Sequence, residues 1–272
     1  MPGSPVPVKD DPSKLPLFVY LGNSEKERLP TGDYVRVVAQ HMGSDGRAVR
    51  HDFALHNRGA RLCRLLEPLL DSVDVDLKAK FDTMTGFIPP LTLSQATREG
   101  CECVFHYLDL IQTRVPTLIS KPLRAPLEEL TQPWEMNFLC EQCFSGTEGQ
   151  FKTTAAFVRH ISKHGSAALG RILEVAMLSD FLIIDPLRDL TCGFLASLGL
   201  SASSEKELLQ LCGLSAPLTS EALEPLYTAY PSCARRMLTI RDACAVTLAH
   251  AHHIYSSLSN TKRSLYILTY FP

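Results

Sequence analysis

The chain has 272 residues, 45% hydrophobic and 21% charged, a length and balance that fit one large or two small folded domains. A formal charge of −2 excludes a global basic field for nucleic acid or acidic lipid and leaves any such binding to a local patch. No run approaches the ~18 consecutive apolar residues of a membrane span, and nine cysteines behind a start with no secretory pattern point to reduced thiols of the cytoplasm and/or nucleus.

In chain order, the prolines and charges of "MPGSPVPVKDDPSKLP" predict a disordered leader over 1–16. "YVRVVAQ" (34–40) is rich in β-branched residues and predicts a strand, "SDG" (44–46) a turn, and "RAVRHDF" a second short strand. From about Asp52 the spacing of Leu55, Ala60, Leu62, Leu65, Leu66 and Leu69 predicts a helix with one buried face. "DSVDVDLKAKFD" (71–82) reads as an acidic loop, and "GFIPPLTL" as a strand interrupted by prolines. "SQATREGCECVFHYLDLIQ" (94–112) reads as a helix capped by Ser94, with Cys101 and Cys103 as core thiols.

A proline-containing connector (113–133) leads to "WEMNFL", a short amphipathic element. Beyond residue 165, "SAALGRILEVAMLSDFLII" and "DPLRDLTCGFLASLGL" predict two apolar helices, the second with Pro186 in its first turn, where a missing N–H costs nothing. Two capped helices follow in "SSEKELLQLCGL" and "LTSEALEPLYTAY", then a last helix and an apolar tail. His250 and His253 share one face of that last helix, which reads as solvated, and Cys192 reads as packed. The sum is an α-rich α+β chain with its strands at the front.

Between "NFL" and "ILEVA" lies "CEQCFSGTEGQFKTTAAFVRHISKHG". Two residues separate Cys140 from Cys143 and three separate His160 from His164, so the histidines fall at i and i+4 on one helix face. Two thiolates on a knuckle and two such imidazoles can close a tetrahedral Zn2+ site. With Phe151 and Phe157 at core positions, the stretch resembles a two-Cys, two-His zinc finger, although sixteen residues separate Cys143 from His160 where about twelve is usual. The resemblance implies a ββα insertion over 140–165 holding one structural zinc. Its base-contacting positions would be Thr153, Ala155, Ala156 and Arg159, mostly too short or apolar for base readout, so a structural or protein-binding finger is expected over a nucleic-acid reader.

Outside the insertion, "VAMLSDFLIIDPLRDLTC" and the helices after it resemble the C-terminal half of the S-phase kinase-associated (Skp) adaptor family. "YVRVVAQHMGSDGRAVRHDFALHNRGARLCRLLEPL", "FIPPLTLSQATREGCECVFHYLDLI" and "PWEMNFL" are similar, in order, to its Skp/elongin C-type BTB/POZ part. The resemblance implies a BTB/POZ-like part over 33–139, Skp-like helices over 166–229, and an extra helical tail over 230–272. It implies a non-catalytic scaffold that links a cullin to F-box proteins in an SCF-type ubiquitin ligase. Candidate partner contacts on the matching helices are Leu182, Leu187, Leu190, Leu195, Leu198, Leu208 and Leu211; their spacing fits either a partner face or core. That tail stands where the family carries a short F-box-contacting segment, which leaves open a structural subunit without ubiquitin work. No phosphate-binding loop, G-x-S-x-G elbow or H-E-x-x-H is present in the sequence.

Overall fold

The structure, a computed structural model, describes residues 15–24, 27–30, 33–43, 45–71, 88–120, 123, 125–143, 153–164, 169–204, 206–207 and 211. The chain divides into two compact units, Met1–Ser94 and Gln95–Pro272. The loop expected over 71–82 and the helices expected beyond residue 211 lie outside the described residues, apart from Asp71.

The first unit is a four-stranded sheet of order β1-β3-β2-β4, with β1 at Phe18–Gly22, β2 at Tyr34–Met42, β3 at Ala48–His56 and β4 at Leu91–Ser94. β2 and β3 form an antiparallel hairpin in which Tyr34 faces His56 and Met42 faces Ala48. Gly46 turns it with a φ of 75°, a left-handed backbone that costs glycine nothing. Two short helices follow, α1 (Asn57–Ala60) and α2 (Glu67–Asp71), and the chain returns as β4, parallel to β2.

Two expectations are corrected. The helix expected from Asp52 begins only at Asn57, because Phe53, Ala54 and Leu55 pair on both sides, with β1 and with β2. β1 itself was not expected; it uses the residues just after the proline-rich start, and Tyr34 Oη donates to the Pro16 carbonyl at 2.9 Å.

Every residue of β2 from Tyr34 to Ala39 is buried, including Arg36. A strand covered on both faces has no water for a guanidinium, so Arg36 needs protein partners. Asp52 on β3, itself fully buried, accepts from Arg36 at 2.5 Å and from Arg50 at 2.6 Å, and Arg36 also donates to the Glu27 carbonyl.

The second unit is helical: α3 (Arg98–Leu110), α4 (Leu127–Leu130), α5 (Pro133–Phe138) running into a π turn (Leu139–Cys143), α6 (Thr154–His164), α7 (Gly170–Phe181) and α8 (Asp185–Ser201). α3 starts later than expected. Ser94 is held in β4 opposite Gln40, Gln95 turns the chain with a φ of 70°, and Thr97 becomes the cap, its hydroxyl accepting from Gly100 N at 3.1 Å. α7 ends with Ile184 N donating to the Ser179 carbonyl at 2.8 Å around Ile183, whose φ is 55°. That is the closing turn glycine normally occupies, so a β-branched residue there carries strain. Among the described residues no helix is long and apolar enough to cross a membrane.

Two measurements check these assignments. Asp52→Ala leaves two cations without their shared acceptor and should cost about 3–5 kcal/mol in urea unfolding. Ile183→Gly removes the left-handed penalty and should raise stability by about 1 kcal/mol, read as a shift of the same midpoint.

Candidate functional site

α8 decides what the helical unit can offer a partner. Leu190 through Gly199 are all buried, so the helix is covered on every side rather than along one stripe. Leu187, Leu190, Leu195 and Leu198 on α8 are at most 3% exposed, and Leu182 at the end of α7 is 2% exposed. Leu211 is likewise buried, and Leu208 lies outside the described residues. The described leucines are thus core of the chain as folded, with Leu200 the exposed one at the end of α8.

The shell around α8 is fixed by three carboxylates, each taking both donors of a threonine. Glu174 on α7 accepts from Thr97 N at 2.6 Å and Thr97 Oγ1 at 2.9 Å, at the start of α3. Glu135 on α5 accepts from Thr117 N at 3.0 Å and Oγ1 at 2.5 Å, and from Gln132 N at 2.9 Å. Glu128 on α4 accepts from Thr154 N at 3.1 Å and Oγ1 at 3.0 Å, at the start of α6. Thr154 Oγ1 also meets Ser201 Oγ of α8 at 3.0 Å, and Ser197 Oγ accepts from Leu127 N at 3.1 Å. The negative charges sit at helix N-termini, where the backbone N–H groups and the dipole favour them. α3 approaches α7 so closely that a Cβ at Gly100 would stand 2.3 Å from the Glu174 carboxyl carbon.

The stretch expected to form the zinc finger is divided between two surroundings. Cys140 and Cys143 lie in the π turn that continues α5, where the ββα expectation has a strand-borne knuckle; Leu139 and Cys143 are buried there and hold the segment helical. His160 and His164 fall at i and i+4 on α6 as expected. α6 is docked on α8: Phe157 and Val158 are buried, and Phe157 meets Phe194 edge to face with centroids 4.8 Å apart. An aromatic that a free-standing finger would keep in its own core is instead part of the unit's core. The side chains of His160 and His164 lie outside what the structure describes; among the described residues no group of three or more His, Cys, Asp or Glu is placed to hold a metal ion.

Cys143 has a nearer companion. Its thiol is hydrogen-bonded to that of Cys103 on α3, and Cys103 Sγ donates to the Gln142 carbonyl at 3.0 Å. Cys103 titrates below the ordinary thiol range because Cys143 hydrogen-bonds it, helped by the neighbouring Arg171 guanidinium. Cys143 is pushed well up, first by that same bond and then by burial. Cys101 and Cys192 are buried, as the sequence reading expects, and burial pushes the Cys101 thiol up. Sequence reasoning missed the Cys103–Cys143 contact and the three clamping glutamates. Glu135 alone carried a signal, as the third residue after Gln132 in a capping box.

None of the family models matches the chain, and no curated protein matches it.

Glu174 gives a pH test. Burial raises its pKa, with the two Thr97 bonds opposing, so the folded chain binds its proton at a higher pH than the unfolded chain does. Its linkage therefore lowers stability as pH rises from the ordinary glutamate range through the raised value. Glu174→Gln should lack this fall, so the melting-temperature advantage of the unsubstituted chain over the variant should grow on acidification from pH 7 toward 4.5.

Proposed function

We propose that the chain is a divergent Skp-like adaptor, a non-catalytic scaffold that links a cullin to F-box substrate receptors. The observation that carries this reading is the order of its motifs along residues 33–229, from "YVRVVAQHMGSDGRAVRHDF" through "PWEMNFL" to "VAMLSDFLIIDPLRDLTC". The element order is consistent with it: a hairpin, helical turns, a strand returning parallel to the first hairpin strand, and then helices. A scaffold of this kind works by presenting shape and charge, and needs no reacting group.

A second reading is a structural subunit with a BTB/POZ-like fold that no longer serves ubiquitin transfer. The burial of Leu182, Leu187, Leu190, Leu195 and Leu198 favours it, because side chains packed inside the chain are closed to a partner helix. Among the described residues, the exposed apolar positions open to a partner include Val115 and Leu118 in the connector after α3, at 78% and 98% exposure.

Affinity purification of the tagged full chain from its own cells, read by mass spectrometry, separates the two. Recovery of a cullin together with an F-box protein is the expected result. Recovery of neither, with a different large assembly in their place, overturns the adaptor reading in favour of the structural one.

A further inference from the structure

The connector after α3 is braced on one side and exposed on the other. Thr117 donates to Glu135 of α5 from N at 3.0 Å and from Oγ1 at 2.5 Å. The Gln132 carboxamide joins two neighbours, its Nε2 donating to the Val115 carbonyl at 2.9 Å and its Oε1 accepting from Trp134 Nε1 at 3.1 Å. The Arg114 guanidinium stands 5.7 Å from the centre of the Trp134 ring. With the backbone tied at Val115 and Thr117 and with Ile119 buried, Val115 and Leu118 are kept at the surface. They are the two most exposed large apolar side chains among the described residues. Single exposed apolar residues are ordinary, but here two of them lie beside a half-buried tryptophan and an exposed arginine, the residue types that most often anchor protein contacts.

Charge selects the occupant. Residues 110–127 contain three cations, Arg114, Lys121 and Arg124, and no acid, in a chain whose formal charge is −2. A second copy docked patch on patch would set like charges together. Residues 261–272, the chain's own apolar tail, carry Lys262 and Arg263 and no acidic side chain, so they are not complementary either. Three cations also fall short of the roughly four to eight that hold a basic segment on acidic lipid. We propose that this patch docks an acidic, leucine-containing peptide segment of a partner protein. The segment's apolar side chains lie against Val115, Leu118 and Trp134, and its carboxylates face the cationic connector. The proposal adds the partner's chemistry to either functional reading, and its test involves neither a cullin nor an F-box protein.

Trp134 is the only tryptophan of the chain, so its emission reports on the patch directly. The full-length protein is titrated with a short, tryptophan-free synthetic peptide of interspersed glutamates, leucines and serines. Two counterparts carry lysine for every glutamate, or serine for every leucine. The expected result is a saturable change in emission with the acidic leucine peptide alone, with a dissociation constant below about 1 mM at low salt that rises as salt is added. Leu118→Ser and Arg114→Gln should each raise that constant about tenfold or more, and Met42→Ser, at an exposed apolar position on the sheet, should leave it unchanged. Polarisation of the fluorescein-labelled peptide reads the same constants where a substitution alters the emission itself, and circular dichroism confirms that each variant folds. No saturable change, equal binding of either counterpart, or a Leu118→Ser chain that binds as well as the unsubstituted one would each overturn the proposal. So would Leu118-dependent binding to phosphatidylserine vesicles in place of the peptide, or Leu118-dependent self-association of the chain alone in sedimentation.

Discussion

The helical unit depends on carboxylates that each grip a threonine by both its N–H and its O–H. α8 is buried on every side, so the helices around it must form a complete shell. Those helices are short, four residues in α4 and six in α5, and segments of that length have little stability of their own in water. Glu128, Glu135 and Glu174 fix the starts of α6, α5 and α3 by bonds that ordinary helix packing would not supply. Each is a charge in a poorly hydrated place, balanced by several donors and by a helix N-terminus. For Glu174 the balance is incomplete, since burial still outweighs the Thr97 bonds and raises its pKa.

The sheet unit meets the same difficulty in the opposite way. Its central strand β2 is enclosed, and the polar residue inside it is a cation, Arg36, answered by the fully buried Asp52. Because side chains alternate along a strand, a slip of one residue would take Arg36 away from Asp52. The ion pair therefore specifies register more than it adds stability.

The sequence made the long, periodic elements legible and left their edges obscure. β2, the hairpin turn, α7 and α8 follow directly from β-branched runs, a turn tripeptide and apolar helical stretches. The misplaced starts of α1 and α3 share one cause: Leu55 and Ser94 have side chains that suit a helix, but backbone pairing with neighbouring strands holds them extended. A propensity yields to tertiary hydrogen bonds that a linear reading does not see. The candidate site was legible as a list and not as an arrangement. The spacing of Cys140, Cys143, His160 and His164 put the histidines correctly on one helix, yet it could not show that Cys143 meets Cys103 or that Phe157 leaves the stretch to pack on Phe194. Both contacts span more than thirty residues, and neither Cys103 nor Phe194 lies within the Cys/His stretch itself. The leucines of α8 show a related ambiguity, because apolar periodicity is the same for a helix that waits for a partner and for one already enclosed.

The close approach of α3 to α7 carries a consequence for how the chain can diverge. Gly100 lies against the very carboxyl group that anchors Thr97, so the two helices touch where one of them lacks a side chain and the other carries a long one. Any residue larger than glycine at 100 would displace Glu174, and any shorter residue at 174 would leave Thr97 without its acceptor and open space over Gly100. Positions 100 and 174 are therefore free to change only together, and in homologous chains they should vary as one character.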